Sequence, residues 1–573
     1  MGYGCLCAFL PLTLLPMKNK IVIYQTLPRL FGNKNTNCIY NGSIEQNGCG
    51  KFNDFDAKTL QRIHQMGITH VWYTGIIRHA LTNDYTKAGI PRQHPDVVKG
   101  KAGSPYAIAD YYDVDPDLAV TVNDRMGEWE ALIERTHKAG MKVIIDFVPN
   151  HVARQYRSVA KPSHTKDLGE DDDTAMHFSI KNNFYYCWGQ PLDLGGIRKG
   201  DTADLPPYEE MPAKATGNDH FDARPGQNDW YETVKLNYGI DYCDAGGRSE
   251  HFNPIPDTWG KMTDILLFWA AKGVDGFRCD MAEMVPAAFW NWATDKVKFA
   301  HPDIIFIGEV YDPNQYRNYV GAGFDYLYDK VGMYDCLCDV IKGFRPAADI
   351  TRQWQQTDDI RQHMLYFMEN HDEVRLASDF LAGDAQKAFP AVAVSALLAD
   401  NPMMVYAGQE FGERGMDCEG YSGRDGRTTI FDYWCVDALR RGFFDRRRLT
   451  KQEKSLYSLY ERLLCMANSE TALREGTSFD LMYVNPQLAQ SQFAFLRKAE
   501  RQLVLVVANF DRNACSCRVV IPQHAFDFLQ LPEKQVVALD LLSDKQTNVG
   551  LKRNAAIDVE VDGYGVAVLR MDL

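Results

Sequence analysis

The sequence predicts an α/β protein: a closed TIM (β/α)8 barrel with a domain inserted after its third strand and an antiparallel β domain at the C-terminal end. Eight short apolar segments alternate with helical patterns between residues 21 and 408. Eight β-then-α units in one chain are typical of a closed barrel. The alternation is interrupted between residues 151 and 256, and strands alone follow from residue 474 onward.

The predicted barrel strands are short and apolar, with many β-branched and aromatic residues. In chain order they are IVIYQ (21–25), HVWYT (70–74), KVIIDFV (142–148), VDGFRCD (274–280), IIFIGEV (304–310), FDYLYD (324–329), LYFMEN (365–370) and MMVYAG (403–408). Between them lie amphipathic segments such as residues 55–67 and 125–140, whose apolar residues recur at three- and four-residue steps. Gly67 and Gly140 end these segments, as expected at helix C-termini.

The domain boundaries follow from these changes of pattern. We assign residues 18–150 and 257–473 to the barrel, residues 151–256 to the inserted domain and residues 474–573 to a β-sandwich-like domain. A connection as long as the insertion is usually a functional lid or a small domain, and this one leaves the face where barrel enzymes keep their chemistry. Residues 1–17 contain no basic residue and no small-residue cleavage site. We expect a disordered tail or a misassigned start there, with a secretion signal as the alternative.

The composition is that of a globular protein and limits its partners. Lys plus Arg number 62 and Asp plus Glu 76, which gives a net charge of −14, and 45% of residues are hydrophobic. An acidic surface repels phosphate backbones, so we expect no nucleic-acid partner. No segment is long and apolar enough for a bilayer, so we expect no membrane partner either. The 14 cysteines lack zinc-site spacing, and several lie in apolar runs. Free thiols favour a cytoplasmic location over a secreted or periplasmic one.

An arginine and an aspartate lie two residues apart on the fourth predicted strand, so their side chains point to the same side. Arg278 and Asp280 could form a structural ion pair, or Arg278 could keep Asp280 ionised for attack on a substrate. Further polar residues end or follow other strands: Asp146, Asn150 and His151 after the third, Glu309 after the fifth, and His371 and Asp372 after the seventh. Because the strands of a closed barrel end in one ring, these side chains can share one cavity. This convergence favours catalysis.

Several carboxylates beside an arginine suit glycoside cleavage with retention of configuration. That reaction needs an ionised carboxylate nucleophile and a protonated carboxylic acid about 5–5.5 Å away. Asp280 fits the nucleophile because a neighbouring cation favours the ionised form. Glu309 fits the acid because it follows an apolar strand and has no cation near it in the sequence.

Four motifs resemble those of the α-amylase superfamily of glycoside hydrolases, glycoside hydrolase family 13, in order and spacing. They are DFVPNH (146–151), GFRCD (276–280), FIGEV (306–310) and FMENHD (367–372). GSPYAIADYYDVDP (103–116) and NPMMVYAGQEFG (401–412) are similar to family segments near the second and eighth strands. The resemblance covers roughly residues 20 to 573, and it makes the insertion the family's domain B and the C-terminal strands its domain C.

The resemblance also implies roles for single residues. Asp280 is the implied nucleophile, Glu309 the acid/base and Asp372 the stabiliser of the transition state. The residues implied to hold the sugar in the cleavage subsite are Tyr106, His151, Arg278 and His371. VKLN (234–237) is similar to a family motif linked with mixed α-1,4 and α-1,6 specificity, which makes Asn237 a substrate-binding candidate. The chemistry needs no cofactor, but Asn150 matches a calcium ligand of calcium-dependent members and implies a structural calcium.

Three functions remain open at this point. The first is an α-glucan hydrolase, and the second is a transglycosylase or isomerase such as a maltosyltransferase or trehalose synthase; both act on oligosaccharides or polysaccharides. The third is a non-catalytic sugar-binding or transporter-associated homologue, a class that typically loses the carboxylates, which are present here. MAEM (281–284) stands where many α-amylases carry a Lys-His pair, so the acceptor side departs from a starch endohydrolase.

Overall fold

The barrel predicted from the sequence is present. The computed structural model describes residues 19–195, 197 and 205–573, so the predicted tail, residues 1–17, lies outside the described residues. Eight strands form a closed barrel in sequential order, with parallel neighbours, which confirms the fold class. The strands are β1 (Val22–Thr26), β2 (His70–Tyr73), β3 (Lys142–Phe147), β4 (Gly276–Cys279), β5 (Ile305–Gly308), β6 (Tyr326–Tyr328), β7 (Met364–Phe367) and β8 (Met403–Tyr406).

The barrel strands are almost wholly buried, which explains why they read as continuous apolar runs rather than as alternating patterns. Their register brings polar residues to one level. Arg278 on β4 pairs with Asp146 on β3 and with Ile307 on β5. β1 closes the barrel against β8, with Val22 opposite Met403. The acids and the arginine therefore meet at the C-terminal end of the barrel.

Helices surround the barrel and cover its outer face. The α-helices outside the C-terminal domain are Pro28–Phe31, Ile44–Asn47, Ala57–Gln65, Arg125–Lys138, Asp257–Ala271, Ala287–Ala300, Tyr316–Gly321, Asp335–Lys342, Asp349–Gln356, Ala385–Leu397, Asp437–Leu439, Lys451–Ser469 and Thr471–Glu475. The helices predicted within residues 55–67 and 125–140 are both present. Gly67 and Gly140, just beyond their ends, have φ angles of 95° and 85°, a region that glycine adopts most readily.

The insertion after β3 is built from short antiparallel ladders. They pair His151–Ala153 with Thr233–Lys235, Tyr186–Cys187 with Ala213–Lys214, and Ile240–Asp241 with Ser249–Glu250. The first ladder begins four residues after β3 ends, so the insertion rises from the rim where the polar residues gather. An antiparallel pair that the sequence analysis did not predict, Ile77–His79 with Ile108–Val114, lies in the connection between β2 and β3.

The C-terminal part is an antiparallel β domain, as predicted. One sheet has the order Thr477–Asp480, Gln492–Ala499, Gln502–Asn509, Val566–Asp572, Lys534–Asp540 and Gln546–Leu551. Cys515–Ile521 pairs with Ala555–Val561 in a second ladder. The helix Gln523–Leu529 lies between strands in the chain, so the expectation of strands alone beyond residue 474 was wrong at this point. The domain boundaries assigned from the sequence stay predictions.

No helix within the described ranges is both long enough and apolar enough to cross a membrane. The cysteines described are free thiols, and Cys187, Cys279, Cys336, Cys338, Cys435 and Cys517 are buried.

Candidate active site

A cavity of about 210 Å³ opens at the C-terminal end of the barrel, where the predicted residues converge. Its lining includes Tyr106, His151, Asp280, Glu309 and Asp372. These side chains come from three strand ends, the β2–β3 connection and the insertion, so only the closed barrel brings them together. Arg278 and His371 are almost fully buried beside the cavity lining.

Arg278 bridges two of the three carboxylates. Its Nη1 donates to Asp280 Oδ1 at 2.7 Å, and its Nη2 lies 2.7 Å from Glu309 Oε1. The sequence offered no cation near Glu309, but the barrel places Arg278 directly against it. In the sequence Asp280 has a neighbouring cation and Glu309 has none, and their roles as nucleophile and acid were argued from that difference. In the structure both carboxylates contact Arg278, so the difference is absent. Arg278 also lies over the rings of Trp72, Tyr106 and Tyr328, which shield it from water.

Asp280 is held in a strongly perturbed environment. Burial raises its pKa well above the usual aspartate range, the Arg278 guanidinium opposes this, and the neighbouring Glu309 carboxylate adds to the rise. Arg278 thus contacts more than one carboxylate, and its charge only partly offsets their mutual repulsion. Asp280 is poised to exchange a proton at a higher pH than an exposed aspartate.

Glu309 accepts hydrogen bonds on both of its oxygens. The Tyr311 hydroxyl donates to Oε1 at 2.6 Å and the Met281 backbone N–H to Oε2 at 2.8 Å. Glu283 accepts the backbone N–H groups of Tyr311 and Asp312, both at 3.0 Å, and so fixes the loop that carries Tyr311. The departure at Glu283 from the family pattern thus has a structural role: it anchors the loop that carries Tyr311 against Glu309.

Asp372 and His371 form a pair behind Tyr106. His371 Nε2 lies 3.0 Å from Asp372 Oδ2 and 2.5 Å from the Tyr106 hydroxyl, while its Nδ1 lies 2.7 Å from Gln25 Nε2. Burial raises the pKa of Asp372, but the charge of His371 and its hydrogen bond outweigh this and lower the pKa to about 2. Because 42% of the Asp372 side chain is exposed, solvent weakens these effects. Asp372 is an ionised carboxylate at the cavity mouth.

The chain resembles known proteins in sequence and in fold. The model of the alpha-amylase catalytic domain matches residues 25–476. Alpha-amylase 3 of Dictyoglomus thermophilum is 24% identical over 428 residues, 71% of this chain and 74% of its own length. The crystal structure of the Geobacillus thermoleovorans α-amylase complexed with acarbose superposes with a TM-score of 0.64 at 18% identity, over 97% of this chain and 98% of that one. An amino acid transporter heavy chain from Homo sapiens is 23% identical over 327 residues, 57% of this chain but only 36% of its own length.

The chain belongs to the alpha-amylase family. The resemblance stated from its motifs is therefore confirmed. The roles of single residues remain predictions, and the structure bears on each through its position.

Asp146 and Gln25 complete the site from below. Asp146 accepts from the Tyr106 hydroxyl at 3.2 Å, from Trp72 Nε1 at 3.1 Å and from the Gly75 N–H at 3.2 Å. It orients Tyr106 rather than facing the cavity. Gln25, near the end of β1, positions His371. It was missed in the sequence, where it is only the polar last residue of the segment IVIYQ.

His151 lines the cavity in a neutral form. Burial, together with the nearby ammonium groups of Lys235 and Lys99, lowers its pKa to about 3. Its ring centroid lies 5.1 Å from that of Trp230, whose side chain also lines the cavity. A neutral imidazole next to an indole suits an uncharged sugar ring.

Asn237 is not brought to this cavity. Its amide nitrogen donates to the backbone carbonyls of Ser179 and Asn182 at 2.8 and 3.0 Å, and its side chain is fully buried. All of these contacts lie within the insertion. Asn237 therefore holds the insertion together here, in contrast to the substrate-binding position expected from the family motif.

The position expected for calcium does not fit the ion. Asn150 Oδ1 accepts a short hydrogen bond from the Lys235 ammonium, which also pairs with Asp219 Oδ1 at 2.6 Å. A cation of the chain itself thus occupies the oxygen that would ligate calcium. Elsewhere in the insertion, ligand atoms of Asp241, Asp244 and His251 lie within 4.8 Å of one another, an arrangement with room for a metal ion.

Proposed function

We propose that the protein is a retaining glycoside hydrolase that cleaves α-glucans, malto-oligosaccharides in particular, by double displacement. The observation that carries this proposal is the set of three carboxylates, Asp280, Glu309 and Asp372, around one cavity with Arg278 buried beside it. Membership of the alpha-amylase family supports an α-glucosidic substrate, as do the names of its relatives.

In the first step Asp280 attacks the anomeric carbon while the bond to the leaving oxygen breaks. Glu309 gives its proton to that oxygen, so the leaving group departs neutral. Arg278, against both carboxylates, stays next to the negative charge as it is lost from Asp280 and appears on Glu309. Asp372, ionised at the cavity mouth, favours the positively charged sugar of the transition state over the neutral substrate.

In the second step water attacks the same carbon and releases Asp280. Glu309, now ionised, takes a proton from that water. The hydrogen bonds from Tyr311 and from the Met281 N–H to Glu309 suit this ionised form. Two inversions at one carbon give a product with the α configuration of the substrate.

The other two functions differ in testable ways. A transglycosylase uses the same residues with a sugar hydroxyl in place of water, and a transporter-type homologue needs none of them. The similarity to a human transporter heavy chain covers about a third of that protein's length. The complete set of carboxylates in one cavity favours an enzyme.

Incubation with maltoheptaose tests the proposal directly. Products are resolved by chromatography, and the anomer first released is assigned by proton NMR. We expect shorter α-oligosaccharides or glucose, and no products from Asp280→Ala. Products longer than the substrate would identify a transglycosylase, and unchanged maltoheptaose, with other α-glucosides also untouched, would rule out both enzymes.

We also propose that the protein works in the cytoplasm. The support is that the cysteines described in the structure are free thiols, many of them buried. N-terminal sequencing of the native protein from fractionated cells tests this. A processed terminus in an exported fraction would contradict it.

A further inference from the structure

Two short segments separate the active-site cavity from a larger cavity of about 730 Å³. Lys99 and Glu232 line the active-site cavity, whereas their chain neighbours Val98 and Tyr231 line the larger one. Alternate residues of extended backbone point to opposite sides, and Val98, with φ −131° and ψ 129°, is extended. Each segment therefore presents one face to each cavity. We call the two segments, residues 98–100 and 230–232, the partition.

An ion pair holds the partition together. Lys99 Nζ lies 3.0 Å from Glu232 Oε2, and only 11% and 5% of the two side chains are exposed. The same ammonium lies 5.3 Å from the centre of the Tyr231 ring, on the other segment. An exposed ion pair contributes little to stability, but a pair this well shielded fixes the position of both side chains.

The third side of the partition comes from the connection after β8. Ile430 and Phe431 line the active-site cavity, and the Phe431 carbonyl accepts the Ala102 N–H at 3.1 Å. The Ile430 carbonyl accepts from Arg29 Nη2 at 3.0 Å. One backbone hydrogen bond and one from the Arg29 side chain thus hold the connection after β8 in place, and the Lys99–Glu232 ion pair joins the other two segments.

The partition lies next to two of the residues expected to hold the sugar ring, Tyr106 and His151. Lys99 is five residues before Ser104, which leads to Tyr106, and its charge reaches His151. Met281 and Tyr311 also line the cavity, and both are hydrogen-bonded to Glu309. In the proposed first step the leaving group departs on the side of Glu309. The ring attacked by Asp280 is therefore expected on the other side, between Asp280 and the partition.

We propose that the enzyme is exo-acting: its donor side accepts one terminal glucosyl unit, and Lys99 with Glu232 ends that side and binds the terminal hydroxyls. This inference rests on the proposed function. The volume of 210 Å³ is below the roughly 300–1,000 Å³ usual for ligand sites, which suits one sugar ring rather than a chain passing through. An ammonium and a carboxylate together offer a donor and an acceptor to neighbouring hydroxyls.

A blocked substrate tests this inference. p-Nitrophenyl α-maltoheptaoside is compared with the same compound carrying a 4,6-O-ethylidene group on its non-reducing terminal glucose, and products are followed by chromatography. An exo-acting enzyme releases glucose from the free compound and cleaves the blocked one at least 100-fold more slowly. Lys99→Ala/Glu232→Ala, which removes both charges together, should raise the ratio of blocked to free rates at least tenfold.

Lys101→Ala is the matched control, because Lys101 lies in the adjoining chain but lines the larger cavity. Its ratio of rates should equal that of the wild type. Comparable wild-type rates on blocked and free compounds would overturn the inference and leave the hydrolase assignment intact. No turnover of either compound, or of p-nitrophenyl α-glucoside, would overturn the proposed function and this inference with it. The wild-type comparison decides between exo- and endo-action even if the double variant does not fold, and an unchanged ratio in a folded double variant would overturn the role of Lys99 and Glu232.

Discussion

At the scale of single residues, Asp280 and Glu309 both contact the guanidinium of Arg278. Their catalytic roles must therefore be distinguished by the reactivity of variants, since the charge next to them is the same. Asp280→Ala should abolish turnover of every α-glucoside, because no nucleophile remains. Glu309→Gln should still form the glycosyl-enzyme from α-glucosyl fluoride, since fluoride needs little protonation to leave. Azide needs no general base, so it should rescue this variant and give the α-glucosyl azide, identified by NMR.

Asp372→Asn is the matched comparison for this experiment. It should bind substrate yet lose turnover, because Asp372 acts mainly on the charged transition state. If azide rescued Asp280→Ala to the β-azide and did nothing for Glu309→Gln, the roles of Asp280 and Glu309 would have to be exchanged.

The raised pKa of Asp280 predicts the acid limb of the pH profile. The nucleophile works only when ionised, so kcat/KM should fall as the pH drops through that pKa, at a pH above the usual range for aspartate. In Glu309→Gln, which removes a negative charge next to Asp280, the acid limb should move to lower pH. The measurement is the pH dependence of azide-rescued turnover of α-glucosyl fluoride, compared with the wild type. An acid limb at the same pH in both proteins would contradict the coupling.

The predicted carboxylates were found because each ends a strand of a recognisable barrel, and strand ends meet by topology alone. Gln25 and Tyr311 were not identified from the sequence, for a different reason. Each contacts its partner across a gap that only side-chain packing sets: Gln25 to His371 and Tyr311 to Glu309. The one signal for Gln25 was that a polar residue ends the predicted strand IVIYQ. A polar residue at that place is as often a strand end without a functional role.

At the scale of elements, Lys235 joins the insertion to the barrel through Asn150 and also pairs with Asp219 inside the insertion. Lys235→Met should lower the stability by about 1–3 kcal/mol, since a buried charge partner is lost but Asp219 is 25% exposed and partly solvated. The melting temperature, measured by calorimetry, should fall. Exposed Lys181 in the same insertion supplies the control, and Lys181→Met should leave the melting temperature unchanged. An unchanged melting temperature for Lys235→Met would mean that the ammonium is dispensable.

The elements also differ in how far the sequence revealed them. The barrel strands are buried on both sides and give apolar runs that few other structures give. The strand Ala555–Val561 was not identified from the sequence. Its buried and exposed residues alternate, but its charged residues interrupt the apolar run by which the other strands were identified. Gln546–Leu551 begins with three exposed polar residues and carries little signal at all. The paired strand Ile77–His79 is only three residues long, too short for any period to register.

At the scale of the whole molecule, a buried carboxyl joins the first strand to the connection after the last. Tyr24 on β1 donates to Glu410 Oε1 at 2.7 Å, and the Gly408 N–H donates to Oε2 at 2.9 Å. Burial raises the pKa of Glu410 from 4.5 to about 7, although both hydrogen bonds oppose the rise. The folded state therefore binds this proton more tightly than the unfolded chain. The resulting stability is full below pH 4.5 and is lost as the pH rises through 7.

Glu410→Gln keeps the shape and removes the titration. Its melting temperature relative to the wild type should be higher at pH 8 than at pH 5, with a change in relative stability of about 3 kcal/mol at most. Scanning calorimetry of both proteins across this range measures the difference. A difference that did not change with pH, or changed in the opposite direction, would contradict a buried protonated carboxyl.

The closure of β1 against β8 has a consequence for biosynthesis. The Tyr24 and Glu410 side chains that meet there are 386 residues apart in the chain. At a translation rate of about 5–20 residues per second, β1 leaves the ribosome roughly 20–80 s before its second neighbour exists. Through that interval one edge of β1 has no β8 to pair with, and an open edge invites pairing with other nascent chains. Ribosome-associated chaperones would therefore have most to protect in the first strand made, and the yield of soluble protein should depend on how quickly the message between β1 and β8 is translated.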